Sequence, residues 1–262
     1  LSRGVASFSH GFSQAAYAMN CVVTTIPELC KRCYCCVREC PANAIQIQAG
    51  QAVVLASRCV GCGNCMKVCT QNAKAVVDGI EAVRTHLAQP RPKEKILLLA
   101  PSFPAAFPGV EPLRVIGALK AAGFTRVVEV AFGADLVSKA YGEYVKDKDA
   151  PVITTPCPAI VEYIEKYYPE LIPNLAPIVS PMIAAGKVVR EKYGADSYVA
   201  FMGPCVAKKL EVQEHDVEGI VNEAMTFDEC IVLFEHMGID PASQPPLEFD
   251  QPRADLGQIY PV

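Results

Sequence analysis

The sequence predicts two folds in series, a small α+β module and then an α/β domain with a parallel sheet. Three observations carry this. Eight cysteines between Cys30 and Cys69 fall into two runs of equal spacing. After Glu94, strand-sized apolar runs alternate with amphipathic helical stretches. Between the two textures, Gln89-Pro90-Arg91-Pro92 has the composition of a linker.

In the module, residues 21–26 read as a short strand leading into the first cysteine run. Residues 42–48 and 50–56 flank a glycine turn and suit a hairpin. Residues 76–87 have helical periodicity and bridge towards the linker. In the larger domain, residues 95–100 form a buried-type strand ending at Pro101, and 111–122 a helix closed by Gly123. Strands are expected at 126–131, 152–155, 197–202 and 219–223. Helices are expected at 134–146, 159–168, 182–193 and 228–237, the last with Thr226 and Glu229 spaced as a capping box. Such alternation predicts a parallel sheet with its sites at the strand C-termini. The domain boundaries follow: a leader at 1–20, the two-cluster module at 21–78, a connecting helix and linker at 79–93, and the α/β domain at 94–262.

The cysteine spacing defines the module's chemistry. Cys30, Cys33, Cys36 and Cys40, then Cys59, Cys62, Cys65 and Cys69, each read C-x2-C-x2-C-x3-C, with Pro41 after the first run. This is the two-cluster ferredoxin pattern, in which three thiolates of a 4Fe-4S cube come from one loop and the fourth from the other run. Cys30, Cys33, Cys36 and Cys69 then hold one cluster, and Cys59, Cys62, Cys65 and Cys40 the other. Disulfides suit small secreted domains, and nothing here looks secreted. Zinc prefers paired CxxC knuckles without a third, tightly spaced cysteine. Cys21, Cys35 and Cys230 lie off the ligand spacing and read as packing residues. The four histidines are scattered without ligand spacing.

With 262 residues, a net charge of −4 and a pI of about 5.7, the chain does not suit a nucleic-acid partner. No apolar run approaches the roughly 20 residues of a membrane span. Thirteen clustered cysteines imply a reducing cytoplasm.

Two further cysteines fall at strand ends, Cys157 in Thr154-Thr155-Pro156-Cys157-Pro158 and Cys205 in Pro204-Cys205-Val206-Ala207-Lys208-Lys209-Leu210-Glu211. A third strand end carries Ala100-Pro101-Ser102, and Tyr168-Pro169-Glu170-Leu171 and Ser180-Pro181 lie between. In these motifs, taken in order behind the cysteine module, residues 21–262 resemble the FeFe-hydrogenase family. The resemblance implies a ferredoxin-like two-cluster module followed by an incomplete hydrogenase-type α/β domain. In that family a 4Fe-4S cube shares a cysteine with a two-iron centre, together the H-cluster. The resemblance makes Cys157 and Cys205 two of that cube's four ligands, with Lys208 donating to an iron-bound cyanide. Ala100, Pro101, Ser102, Ser180 and Pro181 would line the cofactor pocket, and Glu211 would remain as a proton carrier.

The departures point in one direction. Pro156 stands where the family has a proton-passing cysteine, and Ala176 where it has a relay serine. Val137, Ser138, Lys139 and Ala140 replace the acidic residues expected after Gly133-Ala134-Asp135-Leu136, and Gly203 replaces a methionine. Such losses resemble the sensory branch of the family. No third cysteine motif follows Glu211, so the resemblance implies a chain truncated before it, inactive by itself, with an H-cluster only in a full-length form. Its partners would be a ferredoxin or another iron–sulfur protein, the missing C-terminal segment and signalling domains. Two other readings stand beside this one: an electron-transfer ferredoxin with a scaffold domain, and a hydrogenase-like iron–sulfur assembly factor.

Overall fold

The computed structural model describes residues 21–146 and 148–251, so the leader expected at 1–20 lies outside the described residues. The chain divides into two compact units: residues 21–59 with Cys65–Val77, and Val60–Asn64 with residues 78–251.

The first unit holds two small antiparallel sheets. β1 (Val23–Thr25) pairs with β4 (Lys74–Val76), and β2 (Ile45–Gln48) with β3 (Gln51–Val54). The β2–β3 turn is Ala49-Gly50, with φ of 46° and 77°, the left-handed pair that a tight hairpin requires. The two cysteine runs repeat one another position by position. Arg32 and Tyr34 in the first run have φ of 57° and 61°, and Gly61 and Gly63 in the second have 65° and 74°. Asn43 and Asn72, at the same offset after each run's last cysteine, have 45° and 50°. These left-handed residues reverse the chain between ligands; glycine takes the conformation freely and asparagine tolerates it. Each run continues into a four-residue helix, α1 (Cys35–Arg38) and α2 (Asn64–Lys67), and then into β2 and β4 respectively.

The second unit is built on a four-stranded, fully parallel sheet in the order β6-β5-β7-β8. The strands are β5 (Lys95–Leu99), β6 (Arg126–Glu129), β7 (Tyr198–Gly203) and β8 (Glu223–Thr226). Its helices are α3 (Ile80–Ala88), α4 (Phe103–Ala106), α5 (Pro112–Ala121), α6 (Ala131–Tyr144), α7 (Pro158–Tyr167), α8 (Pro181–Tyr193), α9 (Lys208–Glu211) and α10 (Phe227–Met237). The core runs along Ile96–Leu99 and Val199–Met202 and continues into Val115, Ile116, Leu119, Met182, Ile183 and Leu233. α10 opens on the expected capping box of Thr226 and Glu229. Because β6 and β7 flank β5 on opposite sides, the strand order reverses at β5. The C-terminal ends of strands at such a reversal are the usual place for a site in sheets of this kind.

Several elements differ from expectation. Residues 74–76 pair with β1 as a strand, so the helix expected from 76 begins only at Ile80. Residues 152–155 do not join the sheet. They make one bridge, Ile153 to Leu175, because Pro151 and Pro156 flank a segment too short to ladder without their N–H donors. The last strand lies at 223–226 rather than 219–223. The short α4 and a 3-10 helix at Pro169–Asn174 were not foreseen. Among the described residues no helix is long and apolar enough to cross a membrane.

Candidate metal centres

The first unit gathers Cys30, Cys33, Cys36 and Cys69 around one pocket partly open to solvent, which Cys35, Lys31 and Arg32 also line. Cys69 thus stands with the three cysteines of the other run. Thr25, Ala52 and Lys74 complete the pocket's inner wall. Backbone N–H groups point at the fourth cysteine of each run: Ala44 N donates to Cys40 Sγ at 3.3 Å and Ala73 N to Cys69 Sγ at 3.2 Å. Such donors stabilise a thiolate and suit a sulfur that ligates iron. Burial pushes the Cys36 thiol up, and the Lys74 ammonium is the strongest opposing influence. Cys40 and Cys65 pack with Ile45 and Ala52. Among the described residues no three His, Cys, Asp or Glu side chains converge tightly enough for a single metal ion. A four-iron cube asks for wider spacing, with one thiolate at each corner. The donor set of thiolates only, backed by N–H groups, fits such a cube.

Cys35 is half-buried and accepts from Arg38 Nη2 at 3.4 Å, Cys21 donates to Val23 O at 3.1 Å, and Cys230 is fully buried in the core. Sequence reasoning passed over Lys74. Aligning the two cysteine runs would have found it, since its counterpart is the apolar Ile45.

In the second unit, Ala100 and Cys205 lie just beyond the neighbouring strands β5 and β7, at the reversal of strand order. Ala100 is buried, Pro101 half-buried and Ser102 exposed in the turn before α4. Cys157 arrives differently. It is not at a sheet strand's end, because 152–155 is no sheet strand, but at the N-terminus of α7. Lys208 links the two cysteine segments: its buried Nζ donates to Pro156 O at 3.2 Å and pairs with Glu211 Oε2 at 2.6 Å. Burial pushes the Cys205 thiol up; the Lys208 charge and the Ala207 N–H pull it down, and Cys157 is near enough to add to the rise. The arrangement therefore presents two thiols beside a buried ammonium. Ser180 and Pro181 serve as N-cap and first residue of α8, with Ile183 N donating to Ser180 Oγ at 3.4 Å.

At Gly203 a Cβ would lie 2.5 Å from the Phe201 ring and 3.0 Å from Ala100 Cβ, so the space for a larger side chain is already taken. Val137 and Ala176 are packed with Tyr141 in one apolar cluster. Beside it, Tyr141 Oη accepts from Thr155 N at 2.6 Å and lies 2.9 Å from Thr155 Oγ1, which donates to Ile178 O at 2.6 Å. The hydroxyls are committed to fixing the 152–155 segment.

A group of carboxylates lies beyond Lys208. Burial and then the charges of Glu211, Glu162 and Glu165 push the half-buried Glu214 up to about 7. A carboxyl whose folded pKa exceeds its unfolded value contributes stability that is complete below about 4.5 and is lost as pH rises through about 7. Glu214→Gln is therefore expected to flatten the decline in urea-melt stability between pH 6 and pH 8 and to stabilise the chain most at pH 8. An unchanged slope would show that Glu214 is not the group responsible.

Together, a cysteine-rich two-run module and a parallel α/β domain with two cysteines near its strand reversal mark an iron–sulfur protein. Residues 93–262 match the iron only hydrogenase large subunit, C-terminal domain, and residues 23–81 match the 4Fe-4S dicluster domain. The chain belongs to the iron-only hydrogenase large-subunit family. It is 29% identical over 224 residues to the NADP-reducing hydrogenase subunit HndD of Solidesulfovibrio fructosivorans, covering 74% of this chain and 38% of that one. It is 29% identical over 118 residues to the cytosolic Fe-S cluster assembly factor NAR1 of Kluyveromyces lactis, covering 44% and 25%. The apo FeFe-hydrogenase HydA1 from Chlamydomonas reinhardtii superposes with a TM-score of 0.57 at 26% identity, over 68% of this chain and 52% of that one. The chain thus spans well under half the length of these two curated relatives.

Proposed function

We propose that the chain is the electron-relaying part of an FeFe-hydrogenase-like protein of the sensory kind. Cys30, Cys33, Cys36 and Cys69 hold one 4Fe-4S cube, and Cys59, Cys62, Cys65 and Cys40 the other. Cys157 and Cys205 supply thiolates to a further site in the α/β domain. When bound, the cubes carry single electrons, and an H-cluster would couple them to H2 ⇌ 2H+ + 2e−. The protein's own contribution at that site is a buried Lys208 ammonium, oriented by Glu211 and Pro156 O and suited to an anionic ligand. A reducing cytoplasm and a ferredoxin or other iron–sulfur partner suit this reading.

One observation carries the sensory aspect. Of the positions where the resemblance expects proton carriers, Glu211 keeps one but three others do not: Pro156 has no proton to give, and Val137 and Ala176 are sealed in an apolar cluster. Fast turnover needs protons moved as well as electrons. The test joins this chain to the C-terminal half of a hydrogenase relative and matures it anaerobically. The chimera is expected to take up the cofactor and evolve hydrogen slowly. Pro156→Cys is expected to raise the rate about 10-fold, below the usual ~100- to 10,000-fold of a positioned acid, because Val137 and Ala176 remain. The unmodified 262-residue chain is expected to evolve none, since it presents only Cys157 and Cys205 where a cube needs four thiolates. Fast evolution by that chain would overturn the reading.

The similarity to NAR1 favours a second reading, a role in iron–sulfur cluster assembly without a two-iron centre. The same chimera separates the two. Infrared bands of metal-bound CO and cyanide support the hydrogenase reading, and cube-only iron content supports the other.

A further inference from the structure

Reducing a 4Fe-4S cube adds one negative charge, so the charges around each cube decide which accepts an electron first. The two cysteine runs are near-copies, and their surroundings should be alike. After the last cysteine they differ at one position that is buried in both copies. Five residues after the last cysteine, where each run enters its strand, the first run has Ile45, buried at 6% exposure; the second has Lys74, buried at 7%.

Lys74 lines the pocket shared by Cys30, Cys33, Cys36 and Cys69. Its ammonium donates to Thr25 Oγ1 at 2.5 Å and to Ala52 O at 3.4 Å, and Thr25 Oγ1 donates to Ala52 O in turn. Among the described residues no carboxylate pairs with it. A buried cation held only by neutral acceptors is costly unless an anion shares its surroundings. Four thiolates around a cube are that anion. Its counterpart Ile45 brings no charge: it packs in one apolar cluster with Cys36 and Ala52, against which Cys30, Cys40 and Cys65 also lie.

We propose that Lys74 is a positioning charge that makes the two clusters unequal: it raises the reduction potential of the cube held by Cys30, Cys33, Cys36 and Cys69, so that an electron settles there first. The inference rests on the ligand sets given under Proposed function.

The test uses the full chain, reconstituted anaerobically, with Lys74→Met and Lys74→Arg beside the wild type and EPR-monitored redox titrations. Cys33→Ser, through its altered line shape, marks which signal belongs to the first cluster. In Lys74→Met that couple is expected to lose at least tenfold in its reduced-to-oxidised ratio at fixed potential, about 59 mV for one electron. The other couple should stay in place, and Lys74→Arg should keep the wild-type value. Lys74→Gln, which can still hydrogen-bond Thr25, serves as the neutral variant if the Met variant loses its cluster. Ile45→Lys is expected to raise the second couple towards the first. Couples indifferent to the neutral variant, or an Arg variant that falls as far, would overturn the proposal. A wild-type chain that takes up no iron would instead remove the ligand reading beneath it.

Discussion

Replacing Cys40 with serine is expected to remove the cluster whose other ligands begin at Cys59, nineteen residues further along, and to leave the nearer one in place. Iron and sulfide should fall from about eight to about four per chain, because each cube takes its fourth thiolate from the opposite run. Cys69→Ser should do the reverse and remove the cluster of Cys30, Cys33 and Cys36. The structure supports this pairing, since Cys69 shares their pocket and Ala73 N donates to its sulfur. Cys35→Ala should keep all the iron, although Cys35 lies inside the first run. EPR should show two interacting spins in the wild type and one isolated spin in either ligand variant. Stoichiometric zinc without iron, or loss of the same cluster in both variants, would overturn the ligand sets.

Glu229→Ala is expected to be the most damaging single change outside the cysteines. Its Oε1 accepts from Gly79 N and from Lys209 Nζ, both at 2.8 Å. Its Oε2 accepts from Thr226 N at 2.7 Å and from Thr226 Oγ1 at 2.8 Å. One buried carboxylate thus closes the capping box of α10, fixes the start of α3 and pairs with Lys209, which is only 3% exposed. Its removal leaves that ammonium buried without its partner, a loss of about 3–5 kcal/mol, with the cap's loss included in the measured total. Urea denaturation of the reconstituted protein should show this as a lower midpoint. Glu229→Gln should cost less, since its one carbonyl oxygen can still accept either on the Gly79 and Lys209 side or from Thr226. A decrease below about 1 kcal/mol would mean that Lys209 finds another partner.

Much of the site was legible because its spacing is short. Ligands three and four residues apart need only a local turn, so C-x2-C-x2-C-x3-C reads directly as a cluster loop. Thr226 and Glu229 announced α10 for the same reason, since a capping box is complete within four residues. β5, apolar from Ile96 to Leu99, likewise declared itself a strand buried on both faces. Local reasoning failed where a partner distant in sequence decided the outcome. Val76 looked like the start of a helix, but β1 pairs with residues 74–76 as a strand. Residues 152–155 have strand composition, but flanking prolines and the neighbouring 174–176 segment limit them to one bridge, so Cys157 reaches its position by way of α7.

The sequence by itself determined the cluster chemistry and the alternation of strands and helices, both encoded within a few residues of one another. Tertiary structure alone decided that Lys208 spans from Glu211 to Pro156 O. It also decided that the ammonium of Lys74 is buried beside Cys30, Cys33, Cys36 and Cys69, while its counterpart Ile45 packs in the apolar cluster of Cys36 and Ala52. Each depends on contacts between segments far apart in the chain, where burial and hydrogen-bond satisfaction outweigh any local preference.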